Sequence, residues 1–510
     1  MDSRKPSIGN SDVVILGHGR LDIIALGLLL AILLSGCTAL GPNYAQPEAA
    51  VGPNWLEIED PLVTSEPPAD PKWWQTAFQD PDIDQLVETA LEQNLTLRSA
   101  GLRVLQSQQR LAIAVGNQFP QQQQASGSAS RQKSGGITFE NYSLGFNLSW
   151  EVDFWGRFSR QVESASAELD ASVSGYDSVL VSLVSQVAQN YILIRTFQDR
   201  VDVARENIKL QEESLRISKA KFDAGEVSEL DMDQAESLLN NTKATVSSLE
   251  VSLQQLKNSL AILLGKPPQE FSYLVGEKRG IPTVRADIAL GMPQDLIRRR
   301  PDVRIAERQL AAQSAQIGFA VTELYPHFSI SGAIGTSAVN INDLFNSAGQ
   351  TWNLFGLFEW NIFNYGRLKS NVRLQDALFQ QLLVDYRNTV LQAQVDVENA
   401  IVAYLKSHEQ LAAYRLAVAA SQRAVDVSKT QYQEGLVSFN TVITNLTSHV
   451  QQQDRLSSTR GSVADNLVQV YKALGGGWEI RANKDPVDLL PPAMKEEMRE
   501  RTKAWEGVLQ

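Results

Sequence analysis

The residue types that could do chemistry are few in this chain, and their spacing supports no catalytic site. Four histidines lie far apart and lack the spacing of metal ligands: His18, His327, His408 and His449. The phosphate-binding pattern Gly-x-x-x-x-Gly-Lys-Ser/Thr is absent, and no nucleophile motif occurs. The sequence therefore predicts that the chain is not an enzyme, holds no metal or cofactor, and draws no energy from a nucleotide.

The only cysteine has an informative context. Cys37 follows Leu34-Ser35-Gly36 at the end of an apolar run that begins at Ile23, behind several basic residues. The run is too short to span a bilayer comfortably and is typical of a secretory signal. The four residues Leu34-Ser35-Gly36-Cys37 resemble the bacterial lipobox, in which the cysteine is lipidated and becomes the first residue of the mature protein. The alternative is an ordinary signal peptide beside a free thiol.

The lipobox resemblance implies a covalent lipid on Cys37, such as palmitate. Thr38 follows, rather than the Asp that typically retains lipoproteins at the inner membrane, so the resemblance implies an anchor in the outer membrane. We assign 1–36 to a signal peptide and 37–74 to a lipidated strap, which is rich in Pro and predicted to lack a core.

The charge balance argues against a nucleic-acid partner. The chain has 46 basic and 58 acidic residues, and its net charge is −12. Neutralising phosphates requires clustered Lys and Arg, which this composition does not favour.

Two halves of the chain repeat each other at an offset of 210 residues. The matched residues include Trp150, Gly156, Arg157 and Leu264, which recur as Trp360, Gly366, Arg367 and Leu474. Because one inserted residue rotates a helix by about 100°, a gap-free repeat must present the same helix faces twice. We divide the chain into a first repeat (75–266), a linker (267–284), a second repeat (285–477) and a charged C-terminal tail (478–510).

Each repeat contains a long heptad pattern in a window without proline. The first stripe is Leu180, Val187, Ile194, Val201, Ile208 and Leu215, and every position 210 residues later is also apolar. This spacing predicts helices of about 100 Å, each followed by a return helix. The turn between them contains Gly as a helix end and Ser as N-cap: Gly225 with Ser228, and Gly435 with Ser438. A filamentous coiled coil is the alternative.

Amphipathic strands precede each long helix. Between Tyr142 and Val152 apolar and polar residues alternate, and from Trp352 to Ile362 the alternation recurs, although Phe355 and Leu357 interrupt its polar side. Weaker strands precede both, which gives four per chain. Strands of this length suit a membrane β-barrel, whereas a soluble sandwich is the alternative. Because four strands cannot close a barrel, several chains must share it, as a dimer, trimer or tetramer.

Several segments together resemble the TolC-like outer-membrane efflux factors, especially their OprM/NodT lipoprotein branch. They are Lys72–Gln75, Pro81–Val87, Trp150–Arg157, Gly291–Ile297, Arg298–Arg304 and Ala315–Gly318. The resemblance implies a mostly α-helical trimeric channel with a twelve-stranded membrane β-barrel and long antiparallel helical hairpins. It also implies an equatorial collar, to which we assign the tail, a periplasmic adaptor, and an inner-membrane pump of the resistance-nodulation-division type.

The same resemblance implies where function concentrates. The two hairpin turns would form the periplasmic tip and contact the adaptor through Gly225, Val227, Ser228, Gly435, Val437 and Ser438. Residues just beyond the turns would line the closed aperture: Asp231, Asp233, Thr441 and Thr444. Thr441 and Thr444 stand where the family pattern has carboxylates and a basic partner, so a salt-bridge lock is not expected here.

The sequence thus favours a passive outer-membrane duct for drugs or small solutes, multidrug efflux being the leading function. An outer-membrane channel for protein secretion and a structural coiled-coil lipoprotein are the alternatives.

Overall fold

The computed structural model describes residues 39–64, 66, 70–270, 280–284, 288–295 and 299–509. The predicted signal peptide and the predicted lipid site at Cys37 lie outside these residues, and so do residues 296–298 of the family-like segments.

Helices make up most of the described chain. In order they are α1 (Trp73–Phe78), α2 (Pro81–Gln93), α3 (Leu95–Gly116), α4 (Arg157–Asp223), α5 (Glu229–Leu263), α6 (Pro301–Thr322), α7 (Arg367–Gln433), α8 (Phe439–Ala473) and α9 (Pro492–Arg501). No helix within the described ranges combines the length and apolar character needed to cross a membrane.

The duplication is confirmed residue for residue in the long helices. Helices α4 and α7 both contain 67 residues, and α5 and α8 both contain 35, so each pair starts and ends at the offset of 210. At about 1.5 Å per residue, α4 and α7 are each about 100 Å long, as the heptads predict. Helices α3 and α6 have 22 residues each but start 206 residues apart, so the length difference between the repeats falls in the strands and loops.

Each pair of long helices is antiparallel. Arg205 is paired with Glu250 at 2.6 Å, and Glu212 with Lys243 at 3.4 Å, so residues advancing along α4 meet residues receding along α5. The predicted hairpins are therefore confirmed. The heptad stripe is buried at Leu180, Val187 and Ile194, which are at most 2% exposed, and half-buried nearer the turn at Ile208 and Leu215.

The six strands of the described chain form two sheets. They are β1 (Val63–Thr64), β2 (Gln122–Ser134), β3 (Ile137–Val152), β4 (Ile288–Ala289), β5 (His327–Ala338) and β6 (Gln350–Glu359). Strands β1 and β4 form a short parallel pair, and the other four form one antiparallel sheet in the order β2-β3-β5-β6. The four predicted strands thus exist, and their two hairpins are joined through β3 and β5.

The antiparallel sheet has two chemically different faces. Trp150 pairs with Ile330, and Phe146 with Ile334, so large apolar side chains share one face. The residues between them point the other way, where the hydroxyl groups of Ser149 and Ser331 lie 2.9 Å apart. This period of two is what the sequence predicts for a strand that faces water on one side only.

The chain divides into two compact units that cut across the repeats. The first contains 39–45, 111–166 and 312–379, and the second contains the rest of the described residues. Both repeats therefore contribute to both units, because each strand pair leads into a helix of its own repeat.

Within the first unit, one arginine fixes the start of the described chain. Arg160 is 2% exposed, and its guanidinium donates to the Leu40 carbonyl (3.0 Å) and to Asn43 Oδ1 (3.0 Å). Gly41 approaches Gly318 so closely that a Cβ at position 41 would collide with the backbone. Residues 40–43 are therefore bound in place.

The second unit has a large apolar core that corrects the prediction of a strap without a core. Trp55 is 3% exposed within this core, and its indole N–H donates to the Gly291 carbonyl at 2.9 Å. The C-terminal tail joins the same core through Leu490, Met498 and Leu509. Both segments bury apolar side chains, which the density of Pro and charge in their sequences concealed.

A buried polar layer lies between α4, α7 and α8 in the second unit. His449 is fully buried, its Nδ1 is 2.9 Å from the Ser421 hydroxyl, and its Nε2 has no partner within the described residues. One turn away Asn207 donates to Gln453 at 2.8 Å, which places the buried Gln211 opposite His449. Burial lowers the pKa of His449, and Asp426 opposes that shift.

This layer predicts an acid-sensitive stability. In the unfolded chain His449 takes up a proton near its ordinary pKa of about 6.5, whereas the folded protein keeps it neutral to lower pH. The unfolded state then binds more protons, so the free energy of unfolding falls as the pH drops below about 6.5. We expect His449→Gln to remove part of this loss.

The measurement is guanidinium unfolding in mild detergent, followed by helical circular dichroism at about pH 7.5 and about pH 5.5. A packing cost of the substitution lowers the free energy of unfolding equally at both pH values. The test is therefore whether the difference in free energy of unfolding between variant and wild type changes from the higher to the lower pH. An unchanged difference would contradict the assignment.

Candidate functional site

The first hairpin turn closes α4 with a Schellman motif. The amide of Gly225 donates to the Phe222 carbonyl and the amide of Glu226 donates to the Lys221 carbonyl, both at 2.8 Å. Gly225 has a φ of +73°, which suits glycine because it lacks a Cβ. Glu226 and Val227 then lead to Ser228, which has an extended backbone, and α5 begins at the next residue.

The second turn repeats this backbone. Gly435 donates to the Tyr432 carbonyl at 3.1 Å, Leu436 donates to the Gln431 carbonyl at 2.8 Å, and φ at Gly435 is +75°. The two turns therefore differ only in side chains.

Ser228 and Ser438 hold the predicted N-cap positions, but they cap differently from the prediction. Both have the extended backbone of an N-cap, yet neither hydroxyl accepts a hydrogen bond from the helix amides. The hydroxyl of Ser438 instead lies 3.5 Å from that of Thr441. Because both serines are exposed, water can satisfy the first amides, and the hydroxyls remain at the surface of the turns.

A separate apolar cluster joins the two hairpins directly behind the turns. We call it the tip cluster, and its buried members are Ala235, Val425, Tyr432, Phe439, Val442 and Leu446. Val227 and Val437, one from each turn, pack against it. The rings of Tyr432 and Phe439 are 5.1 Å apart. The valines thus tie the turns to the cluster, while the glycines and serines of the turns stay exposed.

Of the four predicted aperture residues, Asp231 alone bridges to the other hairpin. Its Oδ2 accepts a hydrogen bond of 3.4 Å from the Tyr432 hydroxyl. Asp233 is exposed, and Thr444 is exposed with its hydroxyl donating to the Asn440 carbonyl of its own helix. Thr441 is exposed beside Ser438. The structure therefore does not bring the four predicted residues together in one chain.

Tyr432 and Lys221 are site residues that the sequence prediction missed. Burial raises the pKa of Tyr432, Ser218 opposes that shift, and the nearby Asp231 carboxylate raises the pKa further, so the phenol stays neutral and donates a hydrogen bond to Asp231. The ammonium of Lys221 lies 5.4 Å from the Tyr432 ring, pairs with Glu226 at 3.0 Å and donates to the Gln433 carbonyl at 3.4 Å. A signal was available, because Tyr432 stands where the first repeat has Phe222, and only the second repeat carries the hydroxyl.

The exposed surfaces of the turns are also different. The first turn presents Glu226, whose carboxylate pairs with Lys221, and the second presents Leu436, which is 73% exposed. These residues occupy equivalent places at the offset of 210. A partner that contacts both turns therefore meets one charged and one apolar surface on the same backbone.

The described histidines serve local packing and lie in separate places. His327 Nδ1 is 3.0 Å from Glu151, His408 packs its ring against Tyr404, and His449 belongs to the buried polar layer. Among the residues that the structure covers, no group of three or more potential metal-binding side chains comes together.

Comparison with known proteins assigns the family. The sequence matches the family described as Outer membrane efflux protein over residues 86–266 and 292–476, one match for each repeat. Nodulation protein T of Rhizobium leguminosarum bv. trifolii is 30% identical over 461 residues, which are 88% of this chain and 96% of that protein. The pyoverdine export outer membrane protein OpmQ of Pseudomonas putida is 31% identical over 423 residues, which are 80% and 89%.

A solved structure supports the same assignment. The outer-membrane channel OprN superposes with a TM-score of 0.81 at 29% identity, and the match covers 86% of this chain and all of OprN. The chain therefore belongs to the outer membrane efflux protein family, and it is an outer-membrane efflux channel and not an enzyme.

Proposed function

We propose that three copies of this chain form one passive exit duct for drugs or other small organic solutes. Their sheets would close a twelve-stranded barrel in the outer membrane, and their hairpins would continue it as a tunnel into the periplasm. The observation that carries the proposal is the open sheet: β2 and β6 are its edges, and unpaired strand edges are not tolerated in lipid. The apolar face would contact lipid and the serine-rich face would line the water-filled lumen.

We further propose that Cys37 carries a lipid that anchors the N-terminus in the outer membrane. Support comes from its lipobox-like context and from the docking of residues 40–43 on Arg160, which begins three residues later. Each buried methylene of an acyl chain contributes about 0.8 kcal/mol, so several chains would add a firm second attachment beside the barrel.

The energy for transport would come from an inner-membrane pump of the resistance-nodulation-division type, reached through a periplasmic adaptor. The sequence contains no nucleotide-binding pattern that could drive transport itself. The adaptor would contact the exposed glycines and serines of the two turns together with Val227 and Val437. The shared backbone of the two turns supports this role, since it would present the adaptor with the same exposed glycine and serine at each hairpin, beside a charged residue at the first turn and an apolar one at the second.

The aperture would be closed by contacts behind the turns. Asp231 accepts a hydrogen bond from Tyr432, so it holds the first hairpin to the second at the level of the tip cluster. Asp233, Thr441 and Thr444 lie on exposed helix faces and would line the opening.

The duct itself is tested by reconstitution and deletion. Purified protein in planar lipid bilayers should give stepwise ion currents, and in mild detergent it should have the mass of three chains. Deleting the gene should raise the susceptibility of the host to substrates of the pump. A single subunit in detergent, or three chains without current, would contradict the proposed duct.

The proposed closure is tested at Asp231. We expect Asp231→Ala to raise single-channel conductance, because Tyr432 loses its acceptor and the two hairpins are held less firmly. Tyr432→Phe, which restores the residue type of Phe222, should raise conductance in the same way. Asp233→Ala removes an equal charge without touching Tyr432 and should have a smaller effect. Wild-type conductance in both Asp231→Ala and Tyr432→Phe would remove this contact from the closure.

The adaptor contacts and the lipid are tested together by cysteine cross-linking. Because Cys37 is the only cysteine and would be lipidated, Ser228→Cys or Ser438→Cys introduces the only free thiol. A photoactivatable thiol reagent at either position should cross-link the adaptor in intact cells. The exposed Ser248→Cys, about 30 Å along the same hairpin, is the matched control and should react without cross-linking. Thiol labelling of the parent protein would contradict lipidation, and equal cross-linking at position 248 would contradict tip contact.

A further inference from the structure

Strand β6 interrupts the polar face of the antiparallel sheet. Phe355 pairs with Ser331 and Leu357 pairs with Ser329, so both side chains lie on the face that carries the serines. They are 46% and 53% exposed. Around the pair the neighbouring strands present mainly serine, asparagine and glutamine on this face, and the other large apolar side chains of the face, Ile137 and Phe139, lie at the far end of β3, so Phe355 and Leu357 call for a physical explanation.

The repeat does not require these two residues. At the offset of 210, Phe355 corresponds to Gly145 and Leu357 to Asn147, both on the same face of β3. The first repeat therefore builds an equivalent strand without apolar groups at these positions. Their presence in β6 is a property of the second repeat alone.

The neighbouring strands cannot cover the pair. On one side β5 presents Ser329 and Ser331. On the other side, the strand edge that closure would bring against β6 is β2 of the next copy, whose residues on this face include Gln124, Ser126 and Ser128. These side chains are polar and small or flexible, and they provide no apolar pocket for a phenyl ring.

We propose that Phe355 and Leu357 form an apolar contact site for organic solutes on the inner wall of the duct. This inference rests on the proposed trimer, in which three copies would contribute six side chains at one level of the lumen. The site would bind apolar or aromatic parts of a passing solute, because these release ordered water when they meet Phe and Leu.

The apolar pair distinguishes aromatic organic ions from hydrated cations of the same charge. The residues beside the pair in β6 on this face are Asn353 on one side and Glu359 on the other, and Glu359 pairs in the sheet with His327. The pair itself has no carboxylate, imidazole or sulfur, which are the groups that bind metal cations. The Glu359 carboxylate beside the pair attracts any cation by its charge, whereas only an aromatic organic ion also gains apolar contact with Phe355 and Leu357.

The site is tested by current blockade with two probes of equal charge. Tetraphenylphosphonium is aromatic, and tetramethylammonium is small and well hydrated. In the wild-type channel we expect tetraphenylphosphonium to produce resolved blockades, whose dwell times shorten by roughly three- to tenfold in Phe355→Ser/Leu357→Asn. Tetramethylammonium should give no such blockade in either protein.

Matched variants separate the site from folding and assembly. Thr351→Ser changes a polar residue of the same face and should keep the wild-type dwell times. Phe355→Leu keeps an apolar group and should retain most of the blockade. Equal dwell times in wild type and double variant overturn the proposal. If Phe355→Ser/Leu357→Asn no longer forms a trimer, the variant Phe355→Leu/Leu357→Asn is measured instead. Unchanged blockade in that variant would assign the two residues to a contact between copies and would also overturn the proposed binding site. A wild-type trimer that carries no current would instead refute the duct, and the site with it.

Discussion

The phase of two very long helices is the constraint on which the rest of this structure depends. Over 67 residues a single insertion would turn every later side chain by about 100°, so the heptad seam of α4 could no longer face its partners. The equal lengths of α4 and α7, and of α5 and α8, show that neither repeat contains such an insertion. Length changes are confined to the strands and loops, where the chain can absorb them without rotating a packed face.

Because the long helices and the turns of the two repeats match residue for residue, the differences between these parts are differences of side chains. The second turn replaces Glu226 with Leu436 and Phe222 with Tyr432, and β6 replaces Gly145 and Asn147 with Phe355 and Leu357. Leu436 is apolar where Glu226 is charged, and Tyr432 has a hydroxyl that Phe222 lacks and that reaches Asp231. The duplicated frame thus carries different chemistry at matching positions of its two copies.

Sequence alone predicts what periodicity encodes. The bounds of α4, the two Gly-centred turns and the four strands follow from heptads, proline-free windows and alternation. The contact of Tyr432 with Asp231 could not be predicted, because it joins residues 201 apart and depends on the register between two hairpins. The burial of Trp55 was hidden for a similar reason, since its partner Gly291 lies 236 residues away in a segment of irregular structure. The predicted domain boundaries and the roles of the turn residues stay predictions.

The buried contacts along the hairpins are of two kinds, apolar and polar. At the turns the tip cluster holds all four helices with apolar contacts, and Tyr432 adds one hydrogen bond to the Asp231 carboxylate. Farther from the turns, the otherwise apolar heptad seam contains buried polar groups, which are those of His449, Ser421 and Gln211. An apolar layer resists opening by its area, whereas a partly satisfied polar layer lowers the cost of rearrangement because its groups can exchange partners with water. Along each hairpin the polar layer therefore lies between two apolar regions, the tip cluster at the turns and the large core of the second unit, and it is the part of the seam where rearrangement costs least.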